Sequence, residues 1–445
     1  MINYKSLLTF LFLILISDLK SQTNTGSPLS IIELGEINFT GNVSNTSMGG
    51  INSYNDSTEF NLLNPSSLAK LLTTNYSVGT FYKSSNVSNF NSTDKINSGN
   101  INYIAIGIPT KNFGFGFGVL PYSSSGFNLQ TSNEYNIANN IDTRLFGADG
   151  SINRVFFSIG LPLFKNLSIG GTVNYNFGKL NYERFNLYND VNYGIYAQSS
   201  SEINGFNYLL SSNFNLPISK EVEISINYTI EPSSFLESTN SEFLYTASSS
   251  IINLNTLGDF VETDLDSRNL KKTDLLIAKS QTLGFGVKKQ NNWFIGFELS
   301  QRLSSNFENK FLNIENISFR DTNSFSFGGY FIPEYSSLTS YWKRVKYIFG
   351  IKNQEKSIII NNLPINQISL NLGLGLPLSG LSKANFGLEI GKLGDDDNQL
   401  KESYFMLKLG LSLNDIWFIK RKYSKILILY FSFYIFTYSC FSTIT

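Results

Sequence analysis

Between Asn75 and Leu413 apolar and polar positions alternate along the chain. Ile169, Val173, Tyr175 and Phe177 are separated by Gly170, Thr172, Asn174 and Asn176, with Gly171 in step with the apolar set. Val222, Ile224, Ile226, Tyr228 and Ile230 alternate with Glu223, Ser225, Asn227 and Thr229. Ile368, Leu370, Leu372, Leu374 and Leu376 alternate with Ser369, Asn371, Gly373 and Gly375, and the same period runs through Trp293–Leu299 and Val345–Ile351. Successive side chains of a strand point to opposite faces, so each segment has one apolar and one small or polar face. Phe113-Gly-Phe-Gly-Phe-Gly-Val119 is the most one-sided, with three Phe on one face and only Gly on the other.

Alternation alone also suits a soluble sandwich, and the connections separate the two architectures. Short turns fall at Pro109–Asn112, Pro162–Asn166, Pro217–Lys220 and Gln290–Asn291. Longer polar stretches lie between those hairpins, at 122–151, 179–205, 231–280 and 301–323, and these read as loops. Short turns at one end and long loops at the other are the habit of outer-membrane barrels. Strand cores beginning near Asn75, Ile101, Phe113, Ile152, Leu167, Phe206, Val222, Leu283, Trp293, Phe325, Lys343, Ile368, Ala384 and Tyr404 predict about fourteen antiparallel strands. The expected fold is an all-β transmembrane barrel over 73–423, whose last strand carries Phe405, Leu407, Leu409, Leu411 and Leu413 on one face.

Composition supports a surface that meets lipid. Charged residues make up 15% of the 445 residues and aromatics another 15%, with 38 Phe and 24 Tyr; ordinary soluble domains carry about 25% charge. Lys+Arg and Asp+Glu balance at 34 each, which points away from nucleic acid. The chain has no histidine and one cysteine, Cys440. Histidine-based catalysis, the commonest transition-metal ligand and an internal disulfide are therefore excluded, and the chain reads as a non-enzyme without metal or cofactor.

Residues 1–21 have the layout of a secretory signal peptide: Lys5, an apolar run Leu7–Ile16, then a small residue before an expected cut near Ser21/Gln22. That run is too short to span a bilayer, which takes about 20 apolar residues. Residues 22–72 are not strand-like. Their core, Ser47–Leu71, holds Gly49-Gly50, Asp56 and Asn64-Pro65, turn formers from which a short helix through Ser66-Ser67-Leu68-Ala69 can start. One reading is a periplasmic leader. The sharper one is a plug inside the barrel, because a lumen walled by fourteen strands is too wide for wall side chains to fill.

The order Met48-Gly49-Gly50, Asp56 and Asn64-Pro65-Ser66-Ser67-Leu68-Ala69 resembles the N-terminal hatch of FadL-type outer-membrane transport proteins. Gly118-Val-Leu-Pro-Tyr-Ser123, Gly328-Gly-Tyr-Phe-Ile-Pro333, Tyr341-Trp-Lys-Arg344 and the run Leu411–Tyr423 resemble the Bacteroidetes branch of that family. Ser66 departs from the family's usual Ala. The resemblance implies a monomeric, hatch-plugged barrel in the cell outer membrane. It would pass hydrophobic small molecules such as long-chain fatty acids and release them sideways into lipid. An apolar pocket with a lateral exit spares such a solute rehydration, at about 0.8 kcal/mol per CH₂. The resemblance places gating on Met48, Gly49, Gly50, Asp56, Asn64 and Pro65. Two other functions share the fold: an accessory barrel partnering a protein-secretion (type IX) translocon, and a general porin, against which the plug-like segment argues.

Weaker signals have simpler readings. Asn42-Val-Ser44 matches a glycosylation triplet, which an Asn- and Ser-rich chain produces by chance. Asp395-Asp-Asp397 reads as a solvated turn, and Lys343-Arg344 and Lys420-Arg-Lys422 as strand ends at the polar interface. The tail 424–445 is apolar on every face from Lys425 to Phe436 and ends in Thr437-Tyr-Ser-Cys440. With its basic flank it has the form of a second signal peptide with a loose lipobox, at the wrong end of a chain for lipidation. It is expected to contribute little to function.

Overall fold

The computed structural model describes residues 27, 30, 33–38, 41–88, 93–135, 140–187, 193–248, 260–312, 317–394 and 401–416. The signal peptide, Asp395–Asp397, Lys420–Lys422 and the tail with Cys440 lie outside them. The strands, in chain order, are β1 (Glu36–Ile37), β2 (Thr74–Ser88), β3 (Thr93–Pro109), β4 (Gly114–Tyr135), β5 (Asn140–Pro162), β6 (Leu167–Leu187) and β7 (Tyr193–Pro217). They continue as β8 (Val222–Glu231), β9 (Ser234–Ser248), β10 (Phe260–Glu262), β11 (Lys272–Ile277), β12 (Ser280–Lys289), β13 (Trp293–Arg302) and β14 (Ile317–Phe319). The last are β15 (Thr322–Phe331), β16 (Lys346–Ile360), β17 (Leu363–Pro377), β18 (Lys383–Leu393) and β19 (Lys401–Asp415).

All pair antiparallel, and β19 closes on β2 along their full length, from Lys401↔Ser88 to Asp415↔Thr74. Five segments do not count as separate staves. β9 continues β8 along β7, β11 runs into β12 along β9 and β8, and β14 runs into β15 along β16. β10 and β1 add only short ladders on β9 and β4. The ring is therefore a closed barrel of fourteen strands, one for each sequence-derived core.

Loops are where the sequence reading needs correction. Much of 122–151, 179–205 and 231–280 is strand: β4–β7 are 21 to 25 residues long, and β9–β11 extend the wall. β12, β13 and β15 have 10 residues each, and β11 and β14 carry the β12 and β15 staves further. Beyond the apolar band both faces of a strand meet polar surroundings, alternation is no longer required, and such strands read as loop. Near 343 the chain forms a short 3-10 turn, Trp342–Arg344, and the strand begins at Lys346. The tight β16–β17 turn is Asn361-Asn362, both at positive φ (51° and 65°), a conformation that asparagine tolerates.

The apolar rows sort to the outside, apart from Val345, which precedes its strand and is buried. Phe113 and Phe117, Val173 and Phe177, Phe297 and Leu299, Leu370 and Leu372, and Phe405 and Leu407 are all exposed on the outer wall. Their small and polar neighbours face inward and are buried, among them Thr172, Asn174, Asn176, Asn227 and Ser369. A fold that leaves this much hydrocarbon outside and buries amides within is inverted for water and suited to a bilayer.

Candidate functional site

The non-strand segment lies inside the ring. Helix α1 (Val43–Ser47) starts at Asn42, whose side-chain oxygen accepts from the Asn45 amide at 2.8 Å. Asn42 is itself buried, which removes the glycosylation reading of Asn42-Val-Ser44. A 3-10 helix follows at Pro65–Lys70 with proline in its first turn, close to the helix expected there. Between them the chain presses its backbone against glycines on opposite walls. Met48 and Gly49 meet Gly328 on β15 and Gly350 on β16, while Leu68, Pro65 and Ser66 meet Gly114, Gly160 and Gly170 on β4–β6. Ser47 sits against Gly373 and Gly387, Ser53 against Gly284, and Val43 against Gly410. Two glycines of the Phe113–Val119 face are thus explained: Gly114 and Gly116 leave room for the Leu68 carbonyl and the Phe60 ring, while Gly118 packs on Ile104 and Phe156 of the wall.

Buried polar contacts fasten the same segment. Asp56 pairs with Lys383 of β18 at 2.5 Å and Lys346 of β16 at 3.4 Å, and accepts from the Tyr54 hydroxyl at 3.0 Å. Its neighbour Glu59 accepts from the Ser44 hydroxyl at 3.0 Å and from the Asn385 amide at 3.0 Å. Glu298 of β13 accepts from the Asn52 amide at 2.7 Å. The Tyr54 ring packs on Phe294 and Tyr330 with centroids 5.0 and 5.2 Å apart. Fully buried Asn64 reaches the Asn52 carbonyl and accepts from Ser66 at 2.6 Å, so the hydroxyl that departs from the family pattern has a partner.

Burial raises the Asp56 carboxyl, but the ammonium groups of Lys383 and Lys346 outweigh it and hold the group well below the usual carboxylate range. Burial dominates at Glu59 and pushes that carboxyl up. A depressed folded-state value means that the Asp56 contribution is complete above about pH 4. It is lost only as pH falls through the depressed value. Protection of residues 42–71 from trypsin, probed by brief incubation at each pH before neutral digestion, should therefore persist through mild acid. Release near pH 5 would contradict this pairing.

The six residues singled out from sequence do not form one cluster. Met48 and Gly49 lie by β15 and β16, Gly50 at the two luminal cavities, Asp56 between β16 and β18, Pro65 by β5 and β6, and Asn64 bonds the Asn52 carbonyl within the segment. Sequence reasoning missed their wall partners Glu298, Lys346 and Lys383. The available signal was charge on the inward face of otherwise apolar strands.

A second feature is an opening in the wall. Among the described residues, pairing of β3 with β4 stops at Ile104↔Val119, although both strands continue. Each carries a bulge where they part. Asn102 is the extra residue of β3 against β2, and Tyr122 that of β4 against β5. Bulges bend their strands. Pro121, in the Gly118–Ser123 run noted above, has no N–H to offer a neighbour at the same level. Tyr122 is held by the Arg154 guanidinium, 3.9 Å from its ring centre. Part of the gap is covered from within by β1, paired as Glu36↔Ser124 and Ile37↔Ser123.

Behind the gap is a cavity of about 300 Å³, lined by Asn102, Glu36 and Ile37 together with Lys83, Lys352, Lys356, Glu389 and Lys408. A second of about 240 Å³, reached by Arg154, Glu231 and Glu298, shares Arg302 and Lys352 with it. The charges are largely matched: Lys83 with Glu402 at 2.8 Å and Lys408 with Glu389 at 2.6 Å. The apolar pocket implied by the resemblance is not what these cavities present. Their lining mixes charged and polar residues of the inward strand faces with residues of the luminal segment and a few apolar side chains such as Phe81 and Met406.

A family model described as BamG matches residues 1–424. No curated protein matches the chain. Among solved structures the barrel is similar to a Pseudomonas aeruginosa FadL homologue, with TM-score 0.57 and 9% identity over 85% of this chain and 98% of that one. It is similar to the Ralstonia pickettii toluene transporter TbuX, with TM-score 0.54 and 14% identity over 85% and 99%. The Pseudomonas putida toluene transporter TodX gives TM-score 0.54 and 12% identity over 85% and 98%. At such identities the likeness is one of fold.

Proposed function

The chain belongs to the BamG family, and we propose that it is an outer-membrane channel for hydrophobic compounds, plugged by residues 42–71 and open sideways between β3 and β4. The observation that carries this reading is the parting of β3 from β4 over a cavity. Unpaired strand edges are not left facing hydrocarbon, so a gap between two wall strands calls for something to occupy it. A hydrophobic solute leaving toward lipid answers that need without crossing a water-filled pore. The gating roles of Met48, Gly49, Gly50, Asp56, Asn64 and Pro65, and fatty acids as the cargo, belong to this proposal.

One observation favours a second reading. The cavities are lined by paired charges, which offer an alkyl chain little, and a barrel that partners a secretion apparatus needs no cargo route at all. Purification from the outer membrane with mass spectrometry of bound lipid separates the two. A co-purifying fatty acid or other hydrophobic compound, lost when residues 47–71 are deleted, is the expected result. Empty barrels that repeatedly bring down the same secretion component would replace the first reading by the second.

A further inference from the structure

The wall opening and the cavity behind it make opposite demands on a ligand. Where β3 and β4 part, the outer surface is hydrocarbon. Ile104 and Val119 form the last pair, and both are exposed, as is Ile101 just beyond them on β3. Further along the same face of β3 come Gly99, Asn97 and Lys95, opposite Tyr82, Ser84 and Asn86 of β2. Asn97, Lys95 and Asn86 are exposed polar residues. On β19 the apolar row ends at the same register, with exposed Phe405 opposite Ser84 and Ser403 opposite Asn86. The parting therefore crosses the level at which the outer wall turns from apolar to polar, where the headgroups of a bilayer begin.

Behind the parting the lining is rich in charge. Five basic side chains and four carboxylates line the cavity of about 300 Å³. A fifth carboxylate, Glu402, bonds the lining Lys83 at 2.8 Å. Lys408 holds Glu389 at 2.6 Å, whereas Lys356 has no carboxylate within ion-pair distance among the described residues. An alkyl chain gives such a lining nothing to bond, and a water-soluble solute needs no door in hydrocarbon. An amphiphile answers both demands.

We infer that the cavity takes the zwitterionic headgroup of a phospholipid through the gap. The phosphate lies among Lys356 and its basic neighbours and the ammonium among the carboxylates, while the acyl chains stay outside beside Ile101, Ile104 and Val119. The inference rests on the reading of the gap as an opening toward lipid, and gives that opening a ligand class. A charge taken from water needs an opposite charge beside it. A lining of both signs therefore suits a zwitterion better than an anion, whose charge the carboxylates would oppose. Asn102, the extra residue of the β3 bulge, lines the cavity at its mouth.

The test uses the full chain in dodecyl maltoside micelles, with native mass spectrometry counting the lipid that each barrel retains. One phosphatidylethanolamine per barrel, at least fivefold less in Lys356→Gln, is the expected result. An unchanged Lys356→Gln, or phosphatidylglycerol retained equally well, overturns the inference. Free phosphoethanolamine that displaces the lipid at equal concentration also overturns it, in favour of a soluble ligand. Should Lys356→Gln fail to fold, the mouth is blocked on a barrel already folded: Asn102→Cys in a Cys440→Ser background is coupled to a bulky maleimide. Retained phosphatidylethanolamine should again fall at least fivefold; an unchanged amount marks it as annular lipid and overturns the inference. Palmitate retained without phosphatidylethanolamine sinks the headgroup site and leaves the fatty-acid channel standing. Phosphatidylethanolamine retained without palmitate supports the headgroup site and removes fatty acid as cargo.

Discussion

Gly160→Leu is expected to unseat the luminal segment, turning a closed barrel into a conducting one or preventing its assembly. A Cβ at Gly160 would lie 2.5 Å from the Pro65 carbonyl oxygen and 2.8 Å from the Ala69 amide nitrogen. Both are backbone atoms of the 3-10 helix, so no rotamer change relieves the overlap. Overpacking in a well-filled core costs about 1–3 kcal/mol where side chains can yield, and here the yielding element must be the helix. The control is Gly171→Val on the outer wall, where the nearest atom is a Leu210 methyl at 3.4 Å. Single-channel recording in planar bilayers should show raised conductance for Gly160→Leu and none of that rise for Gly171→Val. Heat-modifiable gel mobility reports whether the barrel itself survives. A Gly160→Leu barrel that folds and stays as closed as the wild type would remove the wedge from the account.

The glycines also show what the sequence made legible. Phe113–Val119 reads from sequence as a strand with one bare face. Part of that bare face is the imprint of the luminal segment: Gly114 stands against the Leu68 carbonyl and Gly116 against the Phe60 ring, whereas Gly118 faces Ile104 and Phe156 of the wall itself. Period-two rows located all fourteen staves because a bilayer outside and amides inside impose alternation on every one. The tall strands were illegible for the converse reason: β5 and β7 run on past the apolar band, where neither face selects for hydrophobicity. The opening between β3 and β4 left only Pro121 as a trace, because bulges at Asn102 and Tyr122 are features of register, which a single strand's pattern does not reveal. Cargo was less legible still. The inward positions are polar whether the barrel carries a lipid or holds a partner.

Removing the Asp56 carboxylate is expected to have the other large effect, and it tests fastening rather than fit. Asp56, Lys346 and Lys383 have side chains 14%, 7% and 22% exposed, so the trio is largely shielded from water. Asp56→Asn leaves two cations facing a neutral amide; the Tyr54 and Tyr330 rings and Thr58 are nearby, and the nearest remaining carboxylate is the already engaged Glu59. Breaking a buried pair by deleting one partner costs about 3–5 kcal/mol, most of it the stranded charge. Hydrogen exchange across residues 42–71 should therefore accelerate strongly in Asp56→Asn, with the barrel strands far less affected. If stranded charge is the cause, Lys383→Met in the same chain should recover part of the loss. If lost contacts alone are the cause, the second substitution should add to the damage. The sign of that coupling identifies what holds the segment. A positive recovery means that the trio acts as a matched set, in which one carboxylate makes two wall lysines tolerable within the barrel.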